Sequence, residues 1–171
     1  LVHPMDIDQT NLVTSIANIT QVFNEEQKFP EMDAYLISKL YSDWTTSVSA
    51  STGHDAYVGK TPDTTALTSS NILTVFDNLM LNMDNARVPA NGRILYVTHE
   101  VKALLKQAQG LTRNIDVEDS TDVINRMVNR LDEVQVIGVP ATLMKTAYNF
   151  TTGWAVASSA DQINMFLVHP A

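Results

Sequence analysis

Three short apolar runs in the second half of the chain limit what it can fold into. Residues 93–98 (R-I-L-Y-V-T), 134–139 (V-Q-V-I-G-V) and 163–169 (I-N-M-F-L-V-H) are too brief for buried helices and rich in β-branched or aromatic side chains. The Asn91-Gly92 pair offers a turn into the first run, and Pro140 and Pro170 stop the other two. Helical or loop segments separate them, which is the pattern of strands held between layers. The expectation is a mixed sheet with Tyr96 and Phe166 in its core, covered by one helix over 72–83 and another after Thr98. Residues 123–131 alternate ambiguously and leave strand and helix both open.

The first half has a different period. Leu12, Ile16, Ile19 and Phe23 fall on one helical face. Met32, Leu36, Leu40 and Trp44 then repeat every four residues, flanked by Tyr35, Ile37 and Tyr41, a width that predicts burial on more than one side. Between the two stripes Lys28-Phe29-Pro30 predicts a break, because proline biases the preceding residue away from helical angles and suits the first turn of a new helix. Over residues 45–68 the apolar period disappears and Ser, Thr, Gly, Asp and Pro take over, predicting an exposed loop. Helical spacing returns with Ile72, Val75, Phe76, Leu79 and Met83, with Thr68 or Ser69 as the expected cap. The fold class expected is α+β, with residues 1–68 a helical region and loop and residues 69–171 a sheet domain.

Composition narrows the function. At 171 residues and 44% apolar the chain can bury a core and is not intrinsically disordered. Only 18% is charged, so 18 Thr and 13 Asn must share the surface. No window reaches the ~18 continuous apolar residues of a membrane span, so no membrane partner is expected. The absence of Cys removes disulfides and thiolate chemistry. The net charge of -8 lies entirely in residues 1–86, with eleven acidic and three basic side chains, whereas residues 87–171 carry eight of each. No three Lys or Arg are consecutive, so nothing forms the basic stripe that sequence-reading nucleic-acid binders need.

Catalytic patterns are sparse. Asp6-Ile7-Asp8-Gln9-Thr10 matches the D-x-D-x-T box of haloacid-dehalogenase-type phosphatases, with Asp6 as nucleophile and Asp8 as general acid. Residues 94–98 with Lys102 or Lys106 imitate that family's second motif. The match stops there. Residues 1–5 are too short for the buried strand the box needs and contain Pro4, and Pro-Ala-Thr-Leu stands after residue 139 where a magnesium-binding acidic pair belongs. A turn leading into a helix is the preferred reading. His3, His54, His99 and His169 are too dispersed for a metal motif, although His99 is a candidate base. The pairs Glu25-Glu26, Glu118-Asp119 and Asp132-Glu133 read as solvated. Six Gly, at 53, 59, 92, 110, 138 and 153, complete no phosphate-binding loop or nucleophile elbow. No catalytic, cofactor-binding or metal-ligating residue is therefore assigned and no cofactor expected, which points to a structural or interaction protein.

Four stretches carry a resemblance. Residues 29–40 (F-P-E-M-D-A-Y-L-I-S-K-L) resemble the "VPEIDAYRFSKL"-type segment of major capsid proteins of tailed phages. Residues 88–98 (V-P-A-N-G-R-I-L-Y-V-T) resemble that family's "VP-x-x-GR-hydrophobic-YVSP" stretch, with Thr98-His99 where the family often has Ser-Pro or Thr-Pro. Residues 126–140 resemble its paired strands ending in Val-Pro, and residues 163–170 (I-N-M-F-L-V-H-P) its late "INFIIVHP" strand. All four occur in family order. The resemblance implies a Hong Kong 97-type coat fold, with a spine helix over 11–45 in a peripheral domain and an axial domain of mixed sheet over 69–171.

The function so implied is that of a structural virion protein, a bacteriophage or prophage capsid subunit. It would self-assemble as hexamers and pentamers into an icosahedral head around double-stranded DNA, with scaffold and portal proteins as further partners. The implied localisation is the virion, after assembly in the host bacterial cytoplasm. An encapsulin-like shell around cargo protein is the alternative. Because the chain opens at Leu1 and ends at Ala171 without the family's arm or extended loop, a fragment of a longer subunit is expected.

Overall fold

The computed structural model describes residues 16–49, 62–108, 128, 130–151 and 153–170. Its first feature is one unbroken helical run made of α1 (Ile16–Phe23), a π turn (Asn24–Lys28) and α2 (Phe29–Ser49). The break expected at Lys28-Phe29-Pro30 does not occur. A proline inside a helix lacks the N–H of the ladder and presses its ring on the carbonyl four residues back, here that of Glu26. The π turn makes room for it: the Phe29 N–H donates to the Asn24 carbonyl five residues back, so one extra residue widens the turn beneath the ring. Leu12, from the expected stripe, lies outside the described residues.

The helix also outruns its expected end. Residues 45–49 are helical, and the hydroxyls of Thr45, Thr46 and Ser47 donate to the carbonyls of Tyr41, Ser42 and Asp43 at 2.8–3.0 Å. Such back-bonding lets Ser and Thr stay in a helix that their propensity alone would not extend. Of the expected loop, residues 50–61 lie outside the described residues and 62–68 run irregularly into α3 (Ile72–Asn85). Asn71, rather than Thr68 or Ser69, occupies the cap position. Its amide oxygen accepts from the Thr68 N–H at 2.8 Å and its NH2 donates to the Ala66 carbonyl at 2.9 Å, which fastens the turn before the helix.

The mixed sheet is present. It contains β1 (Ile94–Thr98), β2 (Arg130–Leu131), β3 (Val134–Val139) and β6 (Met165–Val168) in the order β2-β3-β1-β6. β1 is parallel to β3 and antiparallel to β6, and β2 is antiparallel to β3. The ambiguous stretch 123–131 therefore ends in a strand, most of the rest lying outside the described residues. Gly92, at φ 90, supplies the left-handed turn into β1. Thr98 closes β1 and caps α4 (His99–Gln107), its Oγ1 accepting from the Val101 N–H at 3.3 Å.

Both helices pack on one face of the sheet. Leu95, Val97, Val134 and Val136 alternate onto that face and meet Ile72 and Phe76 of α3 and Val101 and Leu105 of α4 in one buried cluster. Ile94, Tyr96, Ile137, Phe166 and Val168 point the other way and are only half-buried. Two-sided cover was expected, with Tyr96 and Phe166 in the core. Instead their rings stack on the second face, centroids 5.0 Å apart and 19° from parallel, in register across β1 and β6. The strand period of two decides this: Leu95 and Val97 make one face broad enough for both helices, which leaves Tyr96 opposite them.

Arg93 locks α3 to β1. Its side chain is fully buried, with Nη2 donating to Asp84 Oδ1 and to the Val88 carbonyl, both at 2.6 Å, and Nε to the Pro89 carbonyl at 2.9 Å. Met80 Sδ lies 3.6 Å from Nη1. Each of the three guanidinium nitrogens thus faces an acceptor, one of them the Asp84 carboxylate, itself 58% exposed.

Two stability outcomes follow from this packing. Phe76→Ala should cost ~3–5 kcal/mol in urea unfolding, as for a fully buried ring, whereas Phe166→Ala should cost only about 1–2 kcal/mol. Equal losses would place Phe166 in the core. Arg93→Met should cost about 1–3 kcal/mol, because the Val88 and Pro89 carbonyls lose their donor, whereas the 58% exposed Asp84 carboxylate falls back on water. A loss under about 1 kcal/mol would show the lock to be dispensable.

Candidate assembly surface

Among the described residues, the long helix carries the largest run of uncovered apolar side chains. Ile19, Val22, Phe23, Phe29, Met32, Tyr35, Leu36 and Leu40 are each 44–58% exposed. The steps from Phe29 to Met32, Leu36 and Leu40 are three, four and four residues, so these side chains line one stripe. The burial expected for Met32, Leu36 and Leu40 is therefore not supplied among the described residues. Two open grooves lie on different faces of the helix, because the π turn between them offsets the helical phase. One lies among Ile19, Val22, Phe23, Glu26 and Gln27, the other among Lys28, Glu31, Met32, Tyr35, Leu36 and Phe150.

The opposite side of the helix is seated. Ala34 is fully buried, and its small side chain lets α2 rest on the segment formed by a 3-10 turn (Ala141–Leu143) and β4 (Tyr148–Asn149). Tyr35 meets Phe150 edge-on, with centroids 5.6 Å apart at 70°. β4 pairs antiparallel with β5 (Ala155–Val156), and Tyr148 touches both Phe150 and Trp154 at centroid distances of 6.1 and 6.0 Å. The Tyr148 hydroxyl donates to the Thr142 carbonyl at 2.7 Å and accepts from the Lys145 N–H at 3.1 Å. Gln162 Nε2 donates to the Met144 carbonyl at 2.7 Å, closing the same platform. Sequence reading missed this aromatic seat. The signal was there in Tyr148, Phe150 and Trp154, alternating along one short segment.

The other singled-out residues do not converge. Asp6, Asp8, His3, His54 and Glu118-Asp119 lie outside the described residues. The Thr98 hydroxyl is engaged as the cap of α4, and Lys102 and Lys106 follow on that helix. His99 is exposed in its first turn, over Gly138 of β3. A Cβ at Gly138 would stand 3.1 Å from His99 Nδ1, so glycine there lets α4 close on the sheet. His169 Nε2 lies 3.1 Å from the Asn91 carbonyl at the other end of β1. Glu25-Glu26 and Asp132-Glu133 are exposed, as expected. Among the described residues no three His, Asp or Glu side chains are grouped to hold a metal ion, and no helix is long and apolar enough to cross a membrane.

No protein-family model matches this chain, and no curated protein or solved structure does.

Burial pushes the Tyr148 phenol above its ordinary value of 10.0, against the smaller opposing pull of the Lys145 N–H. The folded chain therefore favours the neutral phenol. The stability this adds is complete below the unfolded value and lost as pH rises through the higher folded one. Tyr148→Phe should cost about 1 kcal/mol at neutral pH and flatten the alkaline decline, read as Tm against pH. An unchanged alkaline decline would assign it to other groups.

Proposed function

We propose that this chain is a shell subunit: a major-capsid-type coat protein that assembles in many copies into a closed head around double-stranded DNA. The observation that carries the reading is the exposed apolar stripe of Phe29, Met32, Leu36 and Leu40. Soluble monomers rarely leave contiguous apolar patches beyond a few hundred Å² open, and larger ones mark surfaces meant to be covered. The four stretches that resemble the coat family supply α2, the entry to β1 with β1 itself, the β2–β3 pair and β6. In this reading the long helix is the spine of a peripheral domain and the sheet with α3 and α4 is the axial core. Hexamers and pentamers form the shell, scaffold and portal proteins are its further partners, and the virion is its location.

The charge agrees with containment rather than binding. An acidic chain at -8 gains nothing from tight phosphate contact, which suits a wall that encloses DNA without reading it. An encapsulin-like shell would share the stripe and enclose protein instead, and the packaged contents separate the two.

Electron microscopy of the chain expressed within its complete open reading frame tests the proposal. Closed particles of uniform diameter are expected from the wild type. Met32→Glu combined with Leu36→Glu should leave the helical circular dichroism unchanged and remove the particles. A wild type that stays dispersed at every concentration would overturn the shell reading.

A further inference from the structure

We infer that the turn at Asn91-Gly92 is a site of self-modification, where the Asn91 carboxamide is lost to attack by its own backbone with the help of His169. Thirteen Asn stand in the chain, and Asn91 alone is followed by Gly. The reaction needs the next residue's backbone nitrogen to reach the side-chain carbonyl carbon, and a side chain on that residue crowds the approach. Elsewhere Leu, Ile, Met, Phe, Glu, Ala or Arg follows Asn, so each of those sites is shielded by its own neighbour.

Both reacting groups are open. Asn91 and Gly92 are exposed, and neither the Asn91 carboxamide nor the Gly92 N–H has a hydrogen-bond partner among the described residues. A Cβ at Gly92, whose φ is 90, would meet only His169 Nε2, at 3.7 Å.

His169 supplies the activation. It follows β6, and the antiparallel pairing of Val168 with Ile94 brings it to the turn that enters β1. Its Nε2 lies 3.1 Å from the Asn91 carbonyl oxygen and donates to it in the tautomer that carries the proton there. That oxygen belongs to the same peptide group as the Gly92 nitrogen. When the nitrogen gives up its proton, negative charge spreads onto the oxygen, and a donor aimed at it stabilises the anion.

The atoms balance with water as the sole co-reactant. Solvent base takes the Gly92 N–H proton, the nitrogen bonds to Asn91 Cγ, the Cγ–Nδ2 bond breaks and ammonia leaves, closing a cyclic succinimide. Water then opens the ring. Cleaving the bond from nitrogen to Cγ leaves aspartate, whereas cleaving its bond to the Asn91 backbone carbon leaves isoaspartate, with the chain running through the former side chain. Either product adds a negative charge. Isoaspartate also lengthens the backbone by a methylene between Pro89, whose carbonyl accepts from Arg93 Nε, and Arg93 itself.

Trypsin cuts after Arg87 and Arg93, so residues 88–93 leave as one peptide, and liquid chromatography with mass spectrometry reads the site after incubation at neutral pH. In the folded wild type this peptide should convert to aspartyl and isoaspartyl forms at least roughly tenfold faster than any other Asn. His169→Ala should slow the conversion about fivefold, the worth of one ordinary hydrogen bond to the anion. His169→Gln keeps an N–H donor and should restore part of the rate. In urea, where the turn is undone, wild type and His169→Ala should convert equally, which separates activation from a change in the fold. A peptide that stays intact in the folded wild type, under conditions that convert it in urea, would overturn the inference. Equal rates for folded wild type and His169→Ala would overturn the role given to His169.

Discussion

A guanidinium shut away from water sits where α3 gives way to β1, and the sheet takes its position from it. Removing the Arg93 charge from water costs several kcal/mol, and only a complete set of acceptors offsets that cost. Asp84 supplies a carboxylate from the last turn of α3, and the Val88 and Pro89 carbonyls come from the connection itself. With that connection fixed, β1 runs beneath α3 in one register, and Thr98 at its far end starts α4 without an intervening loop. Leu95 and Val97 then face both helices at once. The parallel partner β3 and the antiparallel partner β6 are added on either side of a strand that is already placed.

The same economy leaves apolar surface over. Two helices cover one face of the sheet, while Tyr96, Ile137 and Phe166 are half-covered on the other. The long helix is seated along the line of Ala34, and its stripe has no cover among the described residues. Such surface is costly to leave in water at ~25 cal/mol per Å². Association is the ordinary remedy, and the shell assembly proposed for this chain would provide it.

Much of the sheet was legible in the sequence because its signals are local. The runs at 93–98, 134–139 and 163–169 have the right length and side chains, and Gly92, Pro140 and Pro170 bound them. Which face each strand buries was not legible, because it depends on where α3 and α4 settle, and Phe166 was misplaced for that reason. Pro30 misled for a different one. A proline is read as a break unless the π turn before it is known, and nothing in Asn-Glu-Glu-Gln-Lys announces an i→i+5 turn. Thr45 to Ser47 misled because back-bonding to the helix rescues residues that propensity would exclude. The candidate surface was half legible: the stripe was visible, but its period is equally that of a buried helix, and exposure is a tertiary fact.

Hydrogen exchange along the long helix tests the central claim most directly, since it asks whether assembly covers this surface. In assembled material the amides of residues 16–49 should exchange at least roughly tenfold more slowly than in the Met32→Glu, Leu36→Glu variant, while those of β1 and β3 should hardly differ. Identical exchange along residues 16–49 in the two forms would mean that assembly leaves the stripe uncovered, and the account would fail.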